Sequence, residues 1–135
     1  MKVVNELTSE HIKQLHHLYQ SEWWTKGRVL EDTIKCVKGS QICIGIIDED
    51  EKLVGFVRVI TDFIYKALIL DLIIKEESRK SGLGKKLINL IKNHKKLKDV
   101  KHFELYCLPE LEEYYAKHGF SSEVGGIKFL RKEHA

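Results

Sequence analysis

The chain has 135 residues, 43% of them apolar, and its 23 basic and 20 acidic side chains leave a net charge of +3. That length suits one domain, 1–135, and the apolar fraction supports a core, which excludes a disordered chain. The charge is too balanced to argue for nucleic acid, no apolar run is long enough to span a bilayer, and no signal peptide is expected.

Cys36, Cys43 and Cys107 are odd in number and lack metal-ligand spacing, so a reduced, cytoplasmic chain with buried thiols and no metal is expected. Residues 2–7 suit a short edge strand. Thr8 or Ser9 is an N-cap, and Ile12, Leu15, Leu18 and Tyr19 give helical spacing up to about Gln20. The connection 21–28 holds Trp23, Trp24, Gly27 and Arg28. Two adjacent tryptophans cannot both face one core. Either one packs inward while the other covers a helix end, or one lines an acceptor pocket. Residues 29–38 read as a helix ended by Gly39.

Residues 41–47 and 53–60 read as strands around a solvated acidic turn, Asp48-Glu49-Asp50-Glu51, with Gly55 marking a bulge. A connection holding Asp62 and Tyr65 leads to 67–74, the most apolar strand and therefore central. Asp71 interrupts it. A carboxylate there must be paired or hydrogen-bonded. It is either a structural group bonded to a loop or a histidine, or the group that takes the proton of an incoming amine. Alternation sets it opposite Leu72 and Ile74.

The strand then gives way to Arg79-Lys80-Ser81-Gly82-Leu83-Gly84-Lys85-Lys86 and a helix over 83–97. A helix start leaves amides without partners at a positive dipole end, and glycines let a phosphate approach the backbone. The stretch is either an ordinary glycine-containing strand-to-helix loop or an anion site. It is not a P-loop, because Arg79 and Lys86 replace the required glycine and hydroxyl residue. It is not a dinucleotide fingerprint, because Leu87 replaces the third glycine. The helix buries Leu83, Leu87, Ile88, Leu90, Ile91 and Leu97. Its lysine face is mostly solvation, with only Lys85 and Lys86 near the turn. Residues 100–107 read as a strand, 110–118 as a helix begun by Pro109 and stopped by Gly119, and Phe120 and 127–131 as closing strands.

Two stretches, Arg-x-x-Gly-x-Gly at 79–84 and Tyr114-Tyr115-Ala116-Lys117-His118-Gly119-Phe120, resemble the GNAT family of acetyl-CoA-dependent N-acetyltransferases. The element order is similar as well, so the resemblance spans nearly the whole chain and is specific at these two places. It implies an α/β (α+β) GNAT fold, with a mixed, mostly antiparallel central sheet of six or seven strands and about four flanking helices.

It further implies that Leu72, Ile73 and Ile74 hold the pantetheine arm through their backbone, with an N–H on that strand facing the oxyanion. Arg79, Lys80, Ser81, Gly82, Leu83, Gly84 and Lys85 would hold the pyrophosphate. By the same resemblance Tyr115 protonates the leaving thiolate. The proline common after the pantetheine strand is replaced by Glu76, which makes the strand end harder to place.

A primary amine must be neutral to attack the thioester, and lysine-type amines titrate near 10.4. A base, Asp71 or a water chain, therefore takes a proton. Trp23, Trp24, Arg28 and Tyr65 are the candidate acceptor-binding residues. Acetyl-CoA and an amine are the expected partners of a monomer or homodimer, with no membrane and no nucleic acid. The alternatives are a silent acyl-CoA-binding module and a nucleic-acid-associated protein that uses the lysine helix.

Overall fold

The computed structural model describes residues 1–134, which fall into two units, Met1–Leu105 and the stretch from Tyr106 onward. In the first, strand β1 (Lys2–Val4) precedes helix α1 (Ser9–Tyr19). Thr8 caps α1. Its Oγ1 accepts from His11 N at 3.1 Å while His11 Nδ1 accepts from Thr8 N at 3.2 Å, so two otherwise orphaned amides are satisfied. Helix α2 (Leu30–Lys38) follows and stops at Gly39.

Strands β2 (Ile42–Ile47), β3 (Leu53–Thr61) and β4 (Lys66–Ile74) form an antiparallel meander, with β1 added antiparallel outside β2. Strand β5 (His102–Leu105) joins β4 in parallel, which needs a crossover, and helix α3 (Leu83–Lys92) lies within it. The sheet order is β1-β2-β3-β4-β5.

Phe56 and Ile73 pack with Leu15, Leu18 and Tyr19 of α1. A Cβ on Gly55 would lie 3.5 Å from Leu87 Cδ1 of α3 and 3.1 Å from Ile74 Cδ1. Neighbouring strand residues point to opposite faces, so α1 and α3 cover opposite faces of the sheet. Gly55 thus permits close packing, and the bulge falls on its neighbour Val54, since Ile46 pairs with Gly55 while Ile47 pairs with Leu53.

A second irregularity sits in β4. Phe56 pairs with Ile73 but Arg58 pairs with Leu70, so Val57 alone stands opposite Asp71 and Leu72. Asp71 takes φ +55°, the left-handed region that residues with a Cβ seldom adopt, and β4 kinks there.

Helix α3 ends at Lys92 rather than at residue 97. Asn93 Nδ2 turns back to Asn89 O at 2.9 Å, His94 Nδ1 accepts from Lys96 N at 3.1 Å, and a 3₁₀ turn (Lys95–Leu97) buries Leu97 separately. Short polar side chains that bond the local backbone compete with the helix ladder.

In the second unit a 3₁₀ turn (Pro109–Leu111) leads into helix α4 (Glu112–Ala116). The closing strands expected at Phe120 and 127–131 do not form, so the sheet has five strands rather than six or seven among the described residues. Gly125 and Gly126 hold φ +70° and +81°, and Ile127 and Leu130 are exposed. Strand propensity without a ladder partner does not make a strand.

Candidate active site

In the connection after α1, Gly27 at φ +97° lets the chain reverse, and its N–H bonds Gln20 Oε1 at 3.1 Å. Gln20 Nε2 in turn donates to Arg28 O at 2.9 Å, and buried Thr25 donates to Tyr19 O at 2.7 Å. Arg28 is thereby carried back over α1, with its guanidinium 4.7 Å from the centre of the Tyr19 ring.

Four hydrogen bonds converge on the Asp71 carboxylate. Arg28 Nη1 reaches Oδ2 at 2.7 Å and Nη2 reaches Oδ1 at 3.3 Å. Arg58 Nε reaches Oδ2 at 2.7 Å and Tyr19 Oη donates to Oδ2 at 2.9 Å. Burial alone would raise this carboxyl, but the bonds from Arg28 and Arg58 hold it below the usual carboxylate range. Burial, with Asp71 beside it, pushes the Tyr19 phenol well up, so it stays a donor.

This arrangement disfavours the base expected at Asp71. Oδ2 accepts three of the four bonds, and a depressed pKa makes the carboxylate a poor proton acceptor. The partners are a tyrosine and two arginines, not a loop amide or a histidine.

The ladder between β4 and β5 ends at Ile69 and Leu105. From Leu70 to Ile74, β4 continues with no partner strand on that side in the Met1–Leu105 unit. Lys75 N bonds Val54 O at 2.8 Å, then a 3₁₀ turn (Glu76–Ser78) changes direction, and Lys80 at φ +66° and Gly82 at φ +82° bring the chain into α3. The missing proline therefore does not shift the strand end, which falls at Ile74.

Gly82 is the N-cap and supplies no side-chain acceptor to the first turn. The first helical bond is Lys86 N to Gly82 O at 3.0 Å. Gly84 lies inside the helix rather than in the loop. An open groove of about 470 Å³ runs from Gly82 past Lys85, Lys86 and Asn89 to Asn93. Ser81 Oγ is turned to Ser78 O, and Arg79 donates to Ile74 O at 3.0 Å and ion-pairs with Glu22.

The candidate acceptor residues do not all gather. Arg28 meets Asp71. Tyr65 is 63% exposed in the β3–β4 turn, six residues from Asp71 and so roughly 20 Å along the strand. Trp23 is 72% and Trp24 39% exposed, so neither packs inward. Tyr19 and Arg58 escaped sequence reasoning. Arg58 did carry a signal, as a charge inside an apolar strand that a hairpin brings opposite another interrupted by Asp71.

Within the second unit, Gly119 at φ +92° ends α4 and folds the chain back, so that Phe120 N bonds Tyr115 O at 3.2 Å and the two rings meet edge-to-face at 6.1 Å. Tyr114 contacts Tyr115 at 5.2 Å. Burial, with Tyr114 and Cys107 nearby, pushes the Tyr115 phenol up to about 12.

A family model described as Acetyltransferase (GNAT) domain matches residues 39–122. The "Uncharacterized N-acetyltransferase ycf52" of Pyropia yezoensis is 31% identical over 118 residues, covering 85% of this chain and 67% of that protein. "GCN5-related N-acetyltransferase 2, chloroplastic" of Arabidopsis thaliana is 28% identical over 59% of this chain and 31% of its own length.

Among solved structures, a protein from Xanthomonas campestris pv. campestris described as belonging to the GNAT family superposes with a TM-score of 0.83 at 24% identity, over 98% of this chain and 92% of that one. An aminoglycoside 6'-N-acetyltransferase complexed with coenzyme A has a TM-score of 0.67 at 18% identity, over 78% of this chain and 61% of its own. These structural likenesses show a shared fold. With a family model matching more than half of its residues and a relative agreeing along most of its length, the chain belongs to the GNAT family of acetyltransferases.

Proposed function

We propose that residues 1–135 act as one domain that moves the acetyl group of acetyl-CoA to a primary amine by direct attack in a ternary complex. One observation carries this reading. The stretch of β4 without a partner strand runs through residues 75–82 into an uncapped helix start beside Lys85 and Lys86. The strand edge suits the amides of a pantetheine arm, by augmentation, and the helix start suits a diphosphate.

In this reading Leu72, Ile73 and Ile74 bind the arm through their backbone, and an N–H of that segment meets the charge developing on the carbonyl oxygen. Residues 79–85 hold the diphosphate. Arg79 exchanges Glu22 for phosphate to do so. The amine nitrogen forms a bond to the acetyl carbon, the carbon–sulfur bond breaks, water takes the amine proton, and the thiolate receives one. The resemblance assigns that last transfer to Tyr115, whose pKa near 12 keeps it protonated at neutral pH. Asp71 is a positioning residue that fixes Arg28, Arg58 and Tyr19.

The free thiols Cys36, Cys43 and Cys107 support a reducing compartment such as the cytoplasm. No helix is long and apolar enough to cross a membrane among the described residues.

Calorimetry with acetyl-CoA followed by thiol release with an amine panel tests the proposal. Saturable heat and amine-dependent thiol are expected. Heat without thiol overturns the transferase reading and leaves an acyl-CoA-binding module, and the absence of both heat and thiol sinks both readings.

A further inference from the structure

Two guanidiniums and one carboxylate meet at Asp71, which leaves one positive charge in excess. Among the described residues, Asp71 is the only carboxylate ion-paired with either arginine. Tyr19 and Cys36 do not offset that charge, because burial holds both in their neutral forms.

An unbalanced buried charge is costly. The excess is accommodated at the water-facing member, since the Arg28 side chain keeps 34% of its surface exposed against 14% for Arg58 and 5% for Asp71. Arg28 commits Nη1 and Nη2 to Asp71 and one face to the Tyr19 ring. A guanidinium has five N–H donors, so donors remain for a ligand. It bonds Asp71 at the kink of β4, and Asp71 adjoins Leu72, the first residue of the segment proposed for the thioester arm.

We infer that the acceptor carries an oxyanion, a carboxylate or a phosphate, beside its amine, and that Arg28 binds that oxyanion. The inference rests on the transferase reading. A carboxylate or phosphate completes the charge balance and accepts from the remaining donors in the geometry arginine favours. Without an oxyanion the excess charge stays unbalanced, and a second ammonium in its place adds like-charge repulsion, so such acceptors are disfavoured.

The test follows thiol release from acetyl-CoA with matched acceptors: 4-aminobutyrate against butylamine, phosphoethanolamine against ethanolamine, and 1,4-diaminobutane. The oxyanion member of at least one pair should show a kcat/KM at least about tenfold higher, mainly through KM, and the responding pair identifies carboxylate or phosphate. Arg28→Gln should bring that ratio close to one while Arg28→Lys keeps part of it. A purely structural role would lower both members of a pair alike.

Equal preference, or preference for the diamine, overturns the inference, as does a ratio that survives Arg28→Gln. If acetyl-CoA binds yet no amine releases thiol, the transferase reading fails separately. The oxyanion seat is then decided by arginine Nε–H resonances during titration with 4-aminobutyrate and inorganic phosphate. A saturable shift of the signal missing in Arg28→Gln supports it, and no shift refutes it. Should Arg28→Gln not fold, the native ratios and Arg28→Lys still decide.

Discussion

Asp71→Asn separates positioning from proton transfer. The carboxylate accepts hydrogen bonds from Tyr19, from both ends of Arg28 and from Arg58. Asparagine keeps one acceptor oxygen, loses the charge, and turns an NH₂ toward groups that are themselves donors. Removing one partner of a buried pair costs about 3–5 kcal/mol. Arg28 is a third exposed and can rehydrate, so the expected loss is about 2–3 kcal/mol. For a chain of this size that lowers the melting temperature by roughly 10 °C.

The pH dependence has a definite sign. The folded carboxyl lies below its unfolded value near 3.9, so its stabilisation is complete above that pH and disappears as pH falls through the lower folded value. The gap between wild type and variant should be full at pH 7 and should close in strong acid. Thermal unfolding by circular dichroism across that range measures it. In kinetics below the melting range, kcat should fall by less than about tenfold, with the acid limb of its pH profile retained. A loss near a thousandfold, with the acid limb gone and melting unchanged, would make Asp71 the base and refute the argument.

Tyr115→Phe should lower kcat by about a hundredfold while calorimetry finds the acetyl-CoA Kd nearly unchanged; an unaltered kcat removes its role. Because burial raises its phenol to about 12, the wild-type donor should remain protonated through pH 10, and an alkaline limb due to Tyr115 should not appear below that. Gly82→Ala should cost roughly 1–2 kcal/mol in urea unfolding, since a Cβ there meets nothing within 4 Å and the penalty comes from φ +82° alone. No change would show that the turn relaxes freely. Iodoacetamide at pH 8 should label exposed Cys107 well before Cys43, whose thiol burial pushes up to about 11; mass spectrometry of the peptides reads the order.

Elements with a local cause were legible in the sequence. Thr8 bonds His11, Gly39 stops α2, and Gly82 opens α3, and each of these acts on residues only a few positions away in the chain. The Tyr-Tyr-x-Lys-x-Gly-Phe stretch likewise carries its own explanation, with Gly119 folding Phe120 onto Tyr115. What depended on distant residues was not legible. Asp71 was visible as an anomaly, but its partners come from α1, the following connection and β3, and only the tertiary fold unites them. Alternation set Asp71 opposite Leu72 and Ile74, yet the bulge opposite Val57 interrupts that alternation, and the pattern could not show that α1 packs on Phe56 and Ile73. The closing strands were inferred from propensity, which does not supply a ladder partner.

A strand margin without a mate ordinarily invites neighbouring molecules to stack on it. In β4 the distortion beside the segment proposed for the pantetheine arm also spoils that margin as a template. The backbone leaves extended geometry at Asp71, and Arg79 covers the carbonyl of Ile74. A flat incoming strand finds neither straightness nor a free acceptor at Ile74 there, so this margin is poorly suited to pairing with another strand.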